Sequence, residues 1–229
     1  MLEKFQTAME KTLIPFANKL SQNKVLKAIS GGFSALLPII MVGAIASLLS
    51  GLNIEVYQNF ITSIGLKAIV SYISAYTTNM MAIYAVFSIG NSMAKQLECK
   101  DQSILVGIIS LMVFLLTIPL GVSKDEVTIA AAISTTYFGA PGLFTAMIIG
   151  CVVPLIYNIF VKNHIVIKMP DGVPPQIANG FSAIIPAVCI TAIFAAIRQL
   201  CALTSFATLS GLIYGLLKTP LSHLTNSPI

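Results

Sequence analysis

The sequence is short of charge. Only 9% of its 229 residues are charged, whereas a soluble domain carries about a quarter. All acidic residues and both histidines lie outside the long uncharged runs, so an intramembrane enzyme with an acid–base centre is a weak hypothesis. With 56% hydrophobic residues and a mean hydropathy of +0.90, the deficit of charge excludes an ordinary soluble domain.

The few cysteines show no pairing pattern. None of the four has CxxC spacing, and three lie in or beside the uncharged runs; they are Cys99, Cys151, Cys189 and Cys201. Isolated cysteines of this kind are usually small apolar fillers. We therefore expect no disulfide, no metal site and no cofactor.

Long uncharged runs dominate what is present. Five of them exceed the length of about 20 residues that a helix needs to cross a bilayer; they are 28–54, 68–94, 102–123, 127–161 and 172–197. They lack the alternating pattern of barrel strands. The predicted fold class is all-α, a polytopic helical membrane protein with about five transmembrane helices, at about 24–49, 68–94, 102–120, 142–161 and 177–200.

Amphipathic segments flank these spans. Residues 1–23 place apolar side chains at steps of three and four, which predicts a helix on the inner membrane surface. Residues 204–229 begin with a similar stretch and predict an outer interfacial helix. Residues 24–203 between them form the predicted transmembrane bundle.

Two stretches within the spans are unusually polar. The second run carries Ser71, Ser74, Thr77, Thr78 and Asn79 near its middle. These side chains make hydrogen bonds between helices or face a water-filled path, and both interpretations stay open.

The longest run contains the other polar stretch. Its FGAPG sequence at 138–142 separates a short polar element at about 127–138 from the fourth span. This element is either a broken half-span against a substrate cavity or an outer surface helix.

The basic residues indicate an orientation in the membrane. They are scattered singly between spans, which argues against nucleic-acid binding despite a net charge of +5. With the N-terminus inside, nine lysines lie on the cytoplasmic side and four basic residues lie opposite. The positive-inside rule therefore predicts a cytoplasmic N-terminus.

One short sequence occurs twice. GFSALLP at 32–38 returns as GFSAIIP at 180–186. Pro38 and Pro186 each remove the N–H that would bond the carbonyl four residues back, so both are predicted helix kinks. A parallel internal repeat explains the duplication, and a common solution for kinked helices explains it nearly as well.

The stretch MPDGVPPQIANGFSA at 169–183 carries a family resemblance. It is similar to the signature that precedes the fifth span of bacterial phosphotransferase-system sugar permeases, specifically the IIC component of the lactose/cellobiose/diacetylchitobiose type. GGFSALLPIIMVG in the first span and LIYGLLKTPLSHLTNSP at 212–228 support the resemblance, which covers essentially the whole chain.

The resemblance implies a function in the bacterial cell membrane. A β-linked disaccharide such as cellobiose, lactose or chitobiose would enter from outside and be phosphorylated at the cytoplasmic face by a phosphorylated IIB partner. The family forms homodimers through its N-terminal spans. Its sugar-contacting histidine and glutamate lie on re-entrant hairpins in a second half, which we expect this chain to lack.

The chain departs from the family in length and in its histidines. It has no tryptophan, whereas the family's histidine region is rich in tryptophan, and neither His164 nor His223 matches that motif. We therefore expect no catalytic residue here. The chain is expected to be the N-terminal half of a IIC permease, unable to transport alone, with phosphoryl transfer carried by IIB and the second half.

The loop before the fifth span is the candidate functional segment. Asp171, Gly172, Val173, Pro174 and Pro175 form either a rigid cytoplasmic loop near the sugar path or docked IIB, or simply a well-made helix start. One turn further on, Asn179 is the residue predicted to reach polar cargo. The alternative function is a self-contained helical membrane protein with a dimerising or regulatory role, which would co-purify with another membrane protein.

Overall fold

The computed structural model describes residues 22–121, 132–170 and 172–216, which are mainly helical. The helices, numbered in chain order, are α1 (Lys24–Gly51), α2 (Glu55–Ser63), α3 (Leu66–Tyr76), α4 (Met81–Lys95), α5 (Ser103–Thr117), α6 (Ala140–Lys162), α7 (Pro175–Ser182) and α8 (Ile184–Ala202). A ninth, α9, covers 209–216. The all-α fold class is confirmed.

Each of the five predicted spans coincides with a helical segment of suitable length. Four are long and apolar enough to cross a bilayer, namely Lys24–Gly51, Lys100–Thr117, Ala140–Lys162 and Pro175–Ala202. The fifth, Leu66–Lys95, meets this test only together with Glu55–Ser63, from which it is bent by 93°. The described part of the chain is therefore a multi-pass membrane bundle.

Helix α2 lies across the end of the bundle. Its bend from α3 occurs at Gly65, whose φ of 72° is left-handed and therefore suits glycine. The Gln58 side-chain amide donates to the carbonyls of Ser50 and Leu52, at 3.1 and 2.6 Å, and the Tyr57 hydroxyl donates to that of Leu49 at 2.9 Å. These bonds satisfy carbonyls at the end of α1 and fix α2 against it.

The second span, predicted at about 68–94, is interrupted near its polar middle. A 3₁₀ turn at Thr78–Met80 separates α3 from α4. The Thr77 hydroxyl donates to the carbonyl of Ile73 at 2.6 Å, and such side-chain bonds compete with regular helix formation. The N–H of Ala82, in the first turn of α4, donates to the carbonyl of Phe138 at 2.7 Å, which gives a partner to a group that the helix itself leaves unpaired.

Helix α4 lies at the centre, in contact with α1, α5 and α6. Its glycines and those of its neighbours allow close packing, as Gly32 of α1 and Gly150 of α6 both face Ile89. The main hydrophobic core fills the space between α4, α5, α6 and α8, and includes Val86, Val106, Val113, Phe114, Ile149, Val153 and Ile190.

Helices α4 and α6 run parallel. Ala82 meets Phe138 at one end of the pair, and the N–H of Glu98 meets the Asn158 side chain at the other, at 3.1 Å. Helix α5, which lies between them in the sequence, runs in the opposite direction. The first and fifth spans are peripheral. Only 22% of an 18-residue apolar stretch in each is buried inside the bundle, whereas the figure for Ala140–Lys162 is 50%.

A short hairpin precedes α6. Strand β1 (Leu120–Gly121) pairs antiparallel with β2 (Ala132–Ile133), and a 3₁₀ turn follows at Thr135–Tyr137. The element predicted at 127–138 lies partly outside the described residues, and its described part contains only this strand and single turn. The segment predicted to lie on the inner surface, 1–23, is described only at its last two residues.

Helix α9 packs on the start of α6. The Thr145 hydroxyl donates to Ser210 Oγ at 3.0 Å, and the Tyr214 hydroxyl donates to the carbonyl of Ala140 at 2.9 Å. The rings of Phe144 and Tyr214 meet edge to face, with centroids 5.8 Å apart. This is the described part of the segment predicted for 204–229; residues 217–229 lie outside it.

Candidate functional site

A polar cluster joins three helical segments at the end of the bundle where α4 and α6 finish. Gln102 Oε1 accepts a hydrogen bond from the Tyr157 hydroxyl at 2.7 Å, and Gln102 Nε2 donates to Ser182 Oγ at 2.8 Å and to Asn179 Oδ1 at 3.3 Å. We call Gln102, Tyr157, Asn179 and Ser182 the Gln102 cluster. It ties α7 to the third and fourth spans.

Local structure positions each member of the Gln102 cluster. Gln102 closes the 3₁₀ turn Lys100–Gln102 that begins the third span. Tyr157 is fully buried in the last turns of α6, with its hydroxyl aimed at the amide. The Ser182 hydroxyl also donates to the carbonyl of Asn179 at 2.9 Å. The polar groups thereby satisfy one another, as buried polar groups must.

Charged groups lie beside this cluster. Lys162 Nζ and Glu98 Oε1 are 3.1 Å apart and largely exposed, so the pair contributes little to stability. Asn158 Oδ1 accepts from the backbone N–H of Glu98 at 3.1 Å. Burial raises the pKa of the neighbouring Cys99 thiol to about 11. These contacts link the loop after α4 to the end of α6.

The predicted loop leads directly into this cluster. Helix α7 starts at Pro175, and the carbonyl of Pro174 accepts from the N–H groups of Ile177 and Ala178 at 3.0 and 3.1 Å. Gly172 has a left-handed φ of 99°. Pro174 and Pro175 are exposed and Val173 is half-buried; Asp171 lies outside the described residues.

Asn179 is half-buried and accepts a hydrogen bond from Gln102. Gln102 and Tyr157, to which it is linked, were missed by the sequence analysis. Both are neutral residues near the ends of apolar runs. The sequence signal that could have identified them is their position near the end of a span, where polar side chains can contact neighbouring loops.

The two predicted kink positions differ in structure. Pro38 lies inside α1, which is assigned as helix without interruption. Before Pro186, the chain is interrupted at Ala183, which separates α7 from α8. The first glycine of the repeat differs as well: Gly32 is buried against Ile89, whereas a Cβ on Gly180 would meet nothing within 4 Å.

The two polar stretches singled out in the sequence meet in one cavity of about 680 Å³. We call it the α3–α4 crevice, because it opens beside the break between these helices. Its lining includes Tyr72, Tyr76, Asn79, Thr135 and Thr136. The structure thus brings the middle of the second span against the turn that precedes α6.

The remaining candidate chemistry is sparse. Among residues 22–121, 132–170 and 172–216, no three His, Cys, Asp or Glu side chains lie together in a way that could hold a metal ion. All four cysteines are free. His164 is exposed just past the end of α6, at a left-handed φ of 57°.

Comparison with known proteins gives consistent matches. The family model described as "Phosphotransferase system, EIIC" matches residues 30–225. The putative permease IIC component YwbA of Bacillus subtilis is 32% identical over 97% of this chain and 52% of its own length. The cellobiose-specific EIIC component of Geobacillus stearothermophilus is 29% identical over 99% of this chain and 52% of its own length.

A solved structure matches the fold. The transporter ChbC, the IIC component of the N,N'-diacetylchitobiose-specific phosphotransferase system, superposes with a TM-score of 0.82 at 30% identity. The match covers 94% of this chain and 52% of ChbC. The chain therefore spans about half the length of the relatives it matches.

Proposed function

The chain belongs to the phosphotransferase system EIIC family, and on that premise we propose that it forms the scaffold part of a sugar permease. The permease imports a β-linked disaccharide, and the sugar is phosphorylated by a phosphorylated IIB protein. The observation that carries this proposal is the match over residues 30–225 together with the agreement in fold with ChbC.

The substrate class follows from the matched relatives. Among them are a cellobiose-specific and an N,N'-diacetylchitobiose-specific component, and both of these sugars are disaccharides with a β linkage. Which of these disaccharides, or lactose, the permease prefers depends on the side chains that contact the sugar. Because the chain spans about half of each relative, we propose that transport also requires the part of the fold that this chain does not supply.

Uptake tests this function directly. Labelled cellobiose is supplied to cells that express this chain alone, or with the second half of the cellobiose relative as a separate polypeptide, each with and without IIB. We expect accumulation of sugar phosphate only with both additions. The intact cellobiose relative is the control, and its activity beside an inactive split pair with both polypeptides in the membrane would contradict the proposal.

We propose a cytoplasmic N-terminus. The end of the bundle where α1 begins and α4 and α6 finish carries Lys24, Lys27, Lys95, Lys100 and Lys162, whereas Lys67 and Arg198 lie toward the opposite end. Asn163 and Asn59 are exposed at these two ends. In intact cells, an impermeant maleimide should label Asn59→Cys and not Asn163→Cys, and the reverse pattern would overturn this orientation.

On this orientation the loop at 171–175 faces the cytoplasm, and we propose it as a contact for IIB. Its exposed prolines provide a rigid surface next to the Gln102 cluster. Asn179 remains a candidate sugar contact in the assembled permease. A sugar hydroxyl there would replace its bond to Gln102, which at 3.3 Å is the longest in the cluster.

We also propose a homodimer formed through the first span. Helix α1 exposes an apolar stripe at helical spacing, in which Leu37, Met41 and Ile45 are each 56% exposed and Leu48 is 64% exposed. In a background without the natural cysteines, Met41→Cys should form cross-linked dimers. Ile104→Cys, on an exposed face of α5, is the control; equal cross-linking of both variants would contradict this interface.

A further inference from the structure

The α3–α4 crevice contains polar side chains that the fold itself does not use. No hydrogen bond joins the side chains of Asn79, Thr135 or Thr136 to another described residue. Other polar side chains of the same span are engaged: Ser74 Oγ lies 2.8 Å from Ser47 Oγ, and Thr77 bonds its own helix. Ser74 and Thr77 are therefore used within and between the helices, whereas the exposed side chain of Asn79 makes no such bond to any described residue and can reach a ligand.

Backbone contacts hold the walls of the crevice in place. The N–H of Ala82 donates to the carbonyl of Phe138 at 2.7 Å, and the Tyr84 hydroxyl donates to that of Tyr76 at 2.8 Å. A Cβ at Gly139 would lie 3.1 Å from the Asn79 carbonyl oxygen, so the two backbones are already close. The polar groups are thus presented by a preformed frame, as in most small-molecule sites.

The chemistry of the lining favours a neutral, hydroxyl-rich ring. Tyr72 and Tyr76 are 66% and 61% exposed and present aromatic surface with a hydroxyl group. The amide of Asn79 can both donate and accept, as can the hydroxyls of Thr135 and Thr136. Among the described residues, no charged side chain lines the crevice, so these residues offer no countercharge for a phosphate.

We propose that the α3–α4 crevice binds an unphosphorylated saccharide. Its volume of about 680 Å³ falls within the range of roughly 300–1,000 Å³ for small-molecule sites. A tyrosine ring covers the apolar face of a pyranose, and the Asn79 amide bonds two neighbouring hydroxyls. The class of ligand in this inference rests on the proposed function. The inference places a first binding site for that ligand at the end of the bundle where α6 begins.

Binding to the purified chain in lipid nanodiscs tests the site without transport. Saturation-transfer difference NMR with cellobiose as the probe gives the affinity. We expect saturable binding, weakened about tenfold by Asn79→Ala, which corresponds to the loss of one or two hydrogen bonds. Tyr72→Ala should weaken it similarly, and cellobiose 6-phosphate should bind more weakly than cellobiose.

Matched controls separate the crevice from other surfaces. Asn59→Ala and Phe60→Ala remove an exposed amide and an exposed ring from α2, and both should bind cellobiose as the parent chain does. The inference is overturned if the parent chain does not bind cellobiose, or if Asn79→Ala and Tyr72→Ala bind it as tightly as these controls. Uptake by the split permease is a separate result, so each proposal can fail without the other.

Discussion

Gln102 shows how much a single side chain can do at the end of a membrane bundle. Its side-chain amide forms hydrogen bonds with Tyr157 on α6 and Ser182 on α7. Both partners lie far from Gln102 in the sequence. Asn179 could be predicted from the sequence, because asparagine one turn into a span is conspicuous. Gln102 and Tyr157 could not, because tertiary packing sets the partner of a neutral polar residue at a helix end and the local sequence does not specify it.

Removal of the Gln102 amide should destabilise the bundle. Gln102→Leu deletes the bonds to Tyr157, Ser182 and Asn179 and leaves the Tyr157 hydroxyl without its partner, at a cost of about 1–3 kcal/mol. Thermal unfolding in detergent should show a Tm lower by roughly 3–10 °C. Gln176→Leu is the control, since Gln176 is exposed on α7; equal losses in the two variants would refute a specific role for the cluster.

Cys99 should resist alkylation. Its pKa is raised by burial from an ordinary value of 9.0 to about 11, which lowers the thiolate fraction at pH 8 about a hundredfold. Because burial raises the pKa of Cys99 in the folded state above its unfolded value of 9.0, the thiol is protonated in both states below pH 9. Stability should therefore be unaffected by Cys99 below pH 9 and should fall as the pH rises from about 9 to about 11, where the unfolded state releases the proton first. Iodoacetamide labelling followed by mass spectrometry measures the rate.

The control for this measurement is a thiol placed two residues away. Asp101 is exposed, and Asp101→Cys combined with Cys99→Ala should react at pH 8 at the rate of a free thiol. If native Cys99 reacts as fast as this variant, then burial does not protect it.

At the scale of elements, the apolar runs predicted four spans that the structure shows as long apolar helices, and a fifth that counts as a span only together with the bent segment before it. They did not predict the turn at Thr78–Met80 or the interruption at Ala183. Both depend on where individual polar side chains and prolines find partners in the folded bundle. The polar stretches at 71–79 and 134–137 were recognised, but only the fold shows that they share one crevice.

The two copies of the repeated sequence provide a matched pair of glycines. In α1 a Cβ on Gly32 would lie 2.5 Å from Ile89 Cγ1 and 2.9 Å from the Ile89 backbone, whereas Gly180 of α7 has open space. Gly32→Ala should therefore separate α1 from α4, at a cost of about 1–3 kcal/mol. Gly180→Ala should be neutral or stabilising by up to about 1 kcal/mol, because alanine favours the helix.

Thermal unfolding of these two variants decides the comparison. A marked loss of stability for Gly32→Ala and none for Gly180→Ala is expected for the isolated chain. Similar losses would mean that the second copy is packed as tightly as the first.

At the scale of the whole molecule, the bundle has a core and a periphery. Helix α4 is enclosed by three other helices, whereas the first and fifth spans bury little of their surface. Hydrogen–deuterium exchange in nanodiscs should therefore be slowest at 81–95 and 145–160. The turn at Thr78–Met80 and the junction at Ala183 should exchange earlier, because their backbone bonds are interrupted. Uniform protection along all five spans would contradict this arrangement.

The parallel contact between α4 and α6 also sets an order of assembly. Glu98 and Asn158, which close one end of that contact, are 60 residues apart, so α4 is synthesised well before its partner. When α4 enters the membrane, the first span has already been made, and the Ser88 hydroxyl of α4 can donate to the Gly32 carbonyl of α1, at 2.9 Å in the finished bundle. The face of Ile89 that receives Gly150 is covered only after two more spans have been made. Part of the surface at the centre of the finished bundle therefore remains uncovered until α6 has been synthesised.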